Sequence, residues 1–473
     1  MRTPGVSKPE QPLPTGAPYH NSLDIMDFKA VQMISPGALN PEITHMRRQI
    51  RRLMLVLCVL CLFLTSSETA PAYSVLTHEQ IVDLLWKSQI RPLLLARFPG
   101  TTDDQMRQAH AYAYGGSLIQ DIGYYPFGNH FFSDLTHYVR SGDFVENMLA
   151  DAEQANDINQ YAFALGSLAH YASDIAGHPA VNASVADSFP KLRAKYGDSV
   201  TYADNHSAHI RTEFGFDVVQ VAQDRFTSEA FHDFIGFEVS KPLLEKAVLD
   251  TYGLPLETVF PNFDLAVGSF RYSVSRLIPQ MTRVALAMKK DEIVKEDPTM
   301  TRNRFLYHLK ESEFRREWGK SYKRPNFGDR LLAFFISILP KIGPLKTLDF
   351  KMPTPTTENL YLKSVNDSAT QYGLDLTEVQ AKSLKLENKD FDTGKVTVAG
   401  EYSLTDESYA DLLNKLADAH FAQMTPGLQA NILAFYQDPK PPVFSYKNPA
   451  KWTKTLDDLA QLKATQISLE GEK

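Results

Sequence analysis

Three side chains able to bind a metal recur every fourth residue in His170-Tyr-Ala-Ser-Asp174-Ile-Ala-Gly-His178. On a helix, positions i, i+4 and i+8 point the same way, so two imidazoles and a carboxylate converge on one small volume. A mixed nitrogen and oxygen shell of this kind suits zinc and similar borderline metals. A second helical pair, His209-Ile-Arg-Thr-Glu213, repeats the spacing. Either run alone is matched by ordinary packed histidines. The concentration carries more weight: of the 11 histidines after residue 72, eight lie between His78 and His209. Asp121 and His137 fall inside the same stretch.

The elements that must position these residues read as helices. Residues 77–97 carry Ile81, Leu84, Leu85, Ile90, Leu93 and Leu94 at helical spacing, with Thr77 ahead of Glu79 as the expected cap. Residues 103–121, 143–154, 157–177, 202–222, 227–250 and 262–292 follow the same pattern. The helix over 157–177 holds the His170 run and supplies Phe163, Leu165, Leu168 and Ile175 for packing. Residues 123–129, with Tyr-Tyr-Pro-Phe-Gly-Asn, break the pattern. From about residue 325 the composition shifts: Pro340, Gly343, Pro344, Pro353 and Pro355 interrupt the chain. Residues 345–400 read as irregular, 394–402 alternate like a strand or extended loop, and 405–422 and 425–437 are helical again. No fixed-period repeat is present. The expectation is an all-α chain, with a multi-helix domain over 73–324 and a less regular, partly helical extension over 325–473.

With 473 residues, 43% hydrophobic and 22% charged, the chain has the composition of a globular protein with ample core. Its net charge of -7 gives no support to a nucleic-acid-binding surface. Residues 46–72 read as a secretory signal: four arginines, a short apolar run over 53–64, and Ala70-Pro71-Ala72 as the cleavage pattern. That places the mature N-terminus at Tyr73 and the protein outside the cytoplasm, secreted or periplasmic. The apolar run is short for a membrane span, which needs about 20 residues; a retained anchor is the alternative. Met46 directly precedes the arginines and is the expected start of translation, leaving 1–45 untranslated or disordered. Both cysteines, Cys58 and Cys61, lie in the signal, so the remainder has no disulfide. Without residues 1–72 the balance is 42 Lys/Arg against 51 Asp/Glu, a net charge of -9.

The ordered set Tyr73, His78, Asp121, His137, His170, Asp174, His178, His209 and Glu213 resembles the zinc-dependent phospholipase C family over residues 73–220. The His-x-x-x-Asp helix, a further His, and the closing His-x-x-x-Glu appear in that family's order. The resemblance implies a helical phospholipase C or zinc nuclease-like fold with three Zn2+ ions in one cleft. One ion would be held by Asp121, His137, His170 and Asp174, and a second by His178, His209 and Glu213. The third would be held by His78, Asp174 as a bridge, and the free amine and carbonyl of Tyr73. The family usually has Trp at that first position. The four-residue step from Asp174 to His178 is similar to the catalytic domain of glycosylphosphatidylinositol-specific phospholipase D. His130 and His137 both follow Asp121, and spacing favours His137.

The implied activity is hydrolysis of a phospholipid head group or another phosphodiester by a metal-bridging hydroxide, with only transient contact to a membrane surface. Zinc nucleases share the fold and metal order, but typically close the last pair with Asp where this chain has Glu213. A non-catalytic exported helical protein with structural zinc is the third reading, and nine ligands without cysteine speak against it. His110 and His206 read as ordinary polar positions, and Asp134 as a cap. Tyr124, Tyr125 and Phe127 read as loop packing, and Asn182-Ala-Ser184 matches a glycosylation acceptor. Neither the head group, the bond cut, nor the oligomeric state is encoded in a local pattern.

Overall fold

The structure is a computed structural model, which describes residues 75–222, 237–274, 278 and 350–465. Tyr73, the signal expected over 46–72 and residues 1–45 lie outside the described residues. In chain order the first elements are α1 (Val75–Leu85), a π-helical turn (Trp86–Ile90), α2 (Arg91–Arg97) and α3 (Asp103–Leu118). A 3-10 turn (Ile119–Tyr124) leads to α4 (His130–Tyr138), α5 (Ser141–Ala155), α6 (Ile158–Ser188) and α7 (Pro190–Tyr196). Next come α8 (His206–Ala222), α9 (Lys241–Tyr252), α10 (Leu256–Val259) and α11 (Phe263–Tyr272). The C-terminal part holds α12 (Pro355–Ala381), a hairpin of β1 (Lys389–Asp390) and β2 (Lys395–Val396), α13 (Ser403–Asp418), α14 (Pro426–Phe435), α15 (Val443–Lys447) and α16 (Pro449–Ala464). The expected all-α class is what the described residues adopt.

Local chemistry sets several starts. Thr102 and Gln105 form a capping box at α3, and Asp103 and Asp104 add negative charge to its first turn. Asp157 caps α6 by accepting from the backbone N–H groups of Asn159 and Gln160. Thr354 and Thr357 cap α12 reciprocally, with Pro355 in its first turn.

The centre of the molecule is α6, whose side chains are buried on almost every side from Tyr161 to His178. Its most extensive packing is against α3, then against α12. The α3 contact is backbone to backbone: a Cβ added at Gly166 would meet the Ala113 carbonyl oxygen at 2.0 Å. Only glycine permits that approach, and the approach brings the end of α3 and the following turn to the His170 face of α6. On the other side, the Tyr372 hydroxyl of α12 donates to the Leu165 carbonyl at 2.9 Å, and Tyr361 stacks on Phe216 of α8. Residues of α12 and α13 thus share one hydrophobic core with α1 to α11.

Several boundaries differ from the sequence expectation. Thr77 does not cap: α1 is already helical at Val75, and the Thr77 hydroxyl instead donates to Asp217 at 2.9 Å and meets the Tyr361 hydroxyl at 2.7 Å. The expected helix over 77–97 is continuous in path but passes through the π turn at Trp86–Ile90. The helix expected over 157–177 runs on to Ser188 despite Pro179. Residues 237–240 have no regular secondary structure, so the helix expected from 227 is seen from Lys241, and 223–236 lie outside the described residues. The part of the 262–292 helix within the described residues is Phe263–Tyr272 with a π turn after it. The largest departure is α12, 27 residues of helix where 345–400 read as irregular. Prolines drew attention to a break, but Pro353 and Pro355 stand before and at the helix start, where a missing N–H costs nothing.

Candidate metal centre

Four segments deliver the charged residues to one face of α6. The 3-10 turn after α3 brings Asp121, α4 brings His137, α1 brings His78, and α8 brings His209 and Glu213. Asp174 sits at the middle. Its carboxylate lies 3.1 Å from His170 Nε2, 3.4 Å from His78 Nε2, 3.5 Å from His137 Nε2 and 3.8 Å from His178 Nε2. Asp121 Oδ1 is 3.3 Å from His137 Nε2, and Glu213 Oε1 is 2.5 Å from His209 Nδ1. The side chains fall into three groups with spacing fit for a metal ion: His78, His170 and Asp174; Asp121, His137 and His170; His178, His209 and Glu213. All eight are at most 2% exposed.

The tautomers decide what this arrangement can hold. His137 Nδ1 donates to the Ser133 carbonyl at 2.7 Å, His170 Nδ1 donates to the Ser117 carbonyl at 2.9 Å, and His209 Nε2 donates to Asn182 Oδ1 at 2.8 Å. A carbonyl oxygen can only accept, so the proton of each neutral ring is committed outward. The inner nitrogen of each therefore points a lone pair at carboxylate oxygens. Both oxygens of Asp121, Asp174 and Glu213 are buried without a hydrogen-bond partner. Acceptors facing acceptors in a dry interior need a cation between them.

The electrostatics say the same. Burial pulls the His137 imidazole down, but Asp121 and Asp174 outweigh it and lift the ring to about 10, so those carboxylates draw positive charge to that point. Burial works the other way on Glu213, pushing it well above the usual carboxylate range. Burial and the neighbouring His170 hold His78 down at about 4; burial and His206 hold His209 at about 3. Neutral imidazole is the form that binds metal. The donor set of nitrogen and oxygen without sulfur, the outward hydrogen bonds and the orphaned oxygens fit zinc.

Of the residues expected at the site, His78, Asp121, His137, His170, Asp174, His178, His209 and Glu213 are brought together, and Tyr73 lies outside the described residues. His130 is not in the three groups; its ring meets the edge of Tyr124 at the start of α4. His206 stacks on Tyr202, and His110 lies between Trp86 and Asp83. Asp134 is inside α4 and accepts from the Tyr124 hydroxyl, while Asn129 caps that helix. Tyr124 and Tyr125 pack inward, whereas Phe127 is 55% exposed. Asn182 is buried, with its amide oxygen on His209 and its amide nitrogen donating to the Asp392 carbonyl.

Two residues from beyond α12 touch the site and were not anticipated. Phe391 packs its ring against His137 and His170 at 5.1 and 5.9 Å, and Asp392 Oδ1 lies 3.2 Å from His178 Nδ1. The Asp390-Phe-Asp-Thr-Gly394 stretch carries a turn signal, but nothing local ties it to a helix two hundred residues earlier.

No curated protein and no solved structure matches the chain. A family model described as zinc dependent phospholipase C matches residues 77–262, a stretch that holds every member of the three groups and neither Phe391 nor Asp392. Across that stretch the chain is similar to the zinc-dependent phospholipase C family.

Proposed function

We propose that this protein is an exported zinc-dependent phosphodiesterase that hydrolyses phospholipid head groups. The observation that carries this is the meeting of lone pairs inside the buried centre: the inner nitrogens of His137, His170 and His209 face carboxylate oxygens of Asp121, Asp174 and Glu213 that have no hydrogen-bond partner. Asp121, His137, His170 and Asp174 would hold one ion; His178, His209 and Glu213 a second; His78, Asp174 and the main chain of Tyr73 a third. Zinc bound there would lower the pKa of water to about 7 and neutralise charge on a phosphoryl group. Asp121 then takes the proton of the attacking water, since its two oxygens have no other hydrogen-bond partner. The outward hydrogen bonds of His137, His170 and His209 hold the rings in place and, in the neutral rings a metal requires, leave the lone pair on the inner nitrogen. Dependence on Tyr73 makes removal of residues 46–72 a requirement for the complete site, because an amide nitrogen is a poor ligand.

Among the described residues no helix is long and apolar enough to cross a membrane, which is consistent with action at a lipid surface from outside it. Metal analysis of protein beginning at Tyr73 tests the proposal. One zinc per group is expected, three in all, with a clear loss in Asp174→Asn, whose carboxylate faces four of the imidazoles. An unchanged count would break the assignment. The same zinc-loaded sample should hydrolyse phosphatidylcholine, and activity on single-stranded DNA alone would replace the lipase reading with a nuclease.

A further inference from the structure

We propose that Asp392, in the C-terminal segment beyond the family match, is the positioning residue for His178 and makes that segment part of the metal centre. This rests on the zinc reading above and extends it to a residue outside residues 77–262. The outer nitrogens of three site imidazoles are held by neutral acceptors: Ser133 O, Ser117 O and Asn182 Oδ1. The fourth differs. His178 Nδ1 makes no aligned hydrogen bond, but it lies 3.2 Å from a carboxylate oxygen, Asp392 Oδ1, while its Nε2 points toward Asp174. A carboxylate behind an imidazole fixes the tautomer and raises the basicity of the inner nitrogen, a pairing typical of zinc ligands.

Asp392 is itself aimed. Its second oxygen, Oδ2, accepts from the Tyr138 hydroxyl at 3.0 Å and from the Tyr402 hydroxyl, which leaves Oδ1 turned to His178. The backbone of the same residue is fixed too: Asn182 Nδ2 donates to the Asp392 carbonyl at 2.7 Å, and Asn182 Oδ1 accepts from His209. One residue of the turn is thereby linked to both imidazoles of the His178, His209 and Glu213 group. The turn reaches α6 because of two features of sequence. Pro179 has no N–H to offer the Ile175 carbonyl, and Gly394, at φ +69°, lets the chain approach that oxygen so closely that an added Cβ would stand 2.6 Å from it. Phe391, fully buried, closes the turn over His137 and donates its N–H to the His137 carbonyl at 3.2 Å.

The test uses the full mature chain with Asp392→Asn, which keeps shape and hydrogen bonding but removes the charge, Asp392→Ala, and Tyr402→Phe as a milder change. Zinc retention is measured against a graded chelator, and thermal unfolding is followed with and without metal. In Asp392→Asn one zinc of the bound set should be held about 10- to 100-fold more weakly. Asp392→Ala should lose it further, and Tyr402→Phe should lie between wild type and Asp392→Asn. The metal-free variants should unfold at the wild-type temperature or above it, since a buried carboxylate has been removed. Wild-type zinc retention in Asp392→Asn and Asp392→Ala would overturn the inference. So would a fall in unfolding temperature that is as large without metal as with it, because that is a purely structural role. If the wild-type chain itself held no zinc, the parent reading would fail and this one with it, an outcome separate from both.

Discussion

Asp174 is the residue on which the site turns, because four imidazole nitrogens approach within 3.8 Å of its carboxylate. His170 and His78 hold it well below the usual carboxylate range in spite of burial, so it stays ionised where an isolated buried acid would not. In the proposed reaction Asp121 has a separable job. Its replacement in Asp121→Asn should lower turnover by about 10²- to 10⁴-fold with a smaller change in KM, checked by initial rates on a phospholipid substrate at fixed zinc. At this scale the sequence was informative wherever ligands lie one helical turn apart. His170, Asp174 and His178 could be placed on one face from spacing alone, as could His209 and Glu213. The outer partners could not. Ser117 and Ser133 act through backbone carbonyls, which any residue type would supply, and Asp392 reaches its histidine only through the tertiary fold.

At the scale of elements, the α3–α6 contact and the α12–α6 contact fix the geometry from two sides. In Gly166→Ala the new methyl would sit 2.0 Å from the Ala113 carbonyl, so backbone must move. The expected loss is at least about 1–3 kcal/mol in urea unfolding, together with weaker zinc binding, since the displaced helix carries Asp121 in its wake. Asp375 in α12 gives a pH-dependent prediction. Burial lifts its carboxyl from 3.8 to about 6, with Oδ1 accepting from Gln371 and Oδ2 buried without a partner. The folded state then binds the proton more tightly than the unfolded one, so this group makes stability fall as pH rises from about 4 to about 6. Asp375→Asn should therefore raise the unfolding temperature at pH 8 and leave it unchanged near pH 3, with a gain of no more than about 3 kcal/mol. α12 itself was hidden in the sequence. Its helix has short polar residues and buried tyrosines, Tyr361 and Tyr372, on the side that meets α6 and α8, which blurs the apolar stripe that marks a helix.

For the described residues as a whole, the C-terminal segment and the helices of the candidate metal centre form one hydrophobic core. Deleting residues 350–473 should do more than remove an appendage: it uncovers α6 and α8 where Tyr361 and Tyr372 lie, and removes Phe391 from above the site. A broad, non-cooperative unfolding transition and loss of bound zinc are expected, measured by calorimetry and metal analysis. A zinc ion that binds only the folded state adds about 4 kcal/mol when present at about 1,000 times its dissociation constant. Chelation should accordingly lower the unfolding temperature steeply, and restoring zinc should reverse the change. The sequence showed a composition shift near residue 325. The shift at 325, with Pro340, Gly343 and Pro344, lies outside the described residues, whereas joint packing depends on contacts between residues far apart in the chain.

The burial of Asn182 bears on how the protein can be made. Asn182-Ala-Ser184 is a glycan acceptor by pattern, yet in the folded chain the Asn182 amide is enclosed and committed to His209 and Asp392. In a eukaryotic secretory route, sugar transfer acts on the nascent chain and would compete with closure of α6. A chain modified there could not seat the residue. Production by such a host should give two populations, one zinc-loaded and unglycosylated, one glycosylated and misfolded, resolved by mobility after deglycosylation. Ser184→Ala, which gives up one hydroxyl bond to the Ala180 carbonyl and leaves Asn182 in place, should merge them into the first.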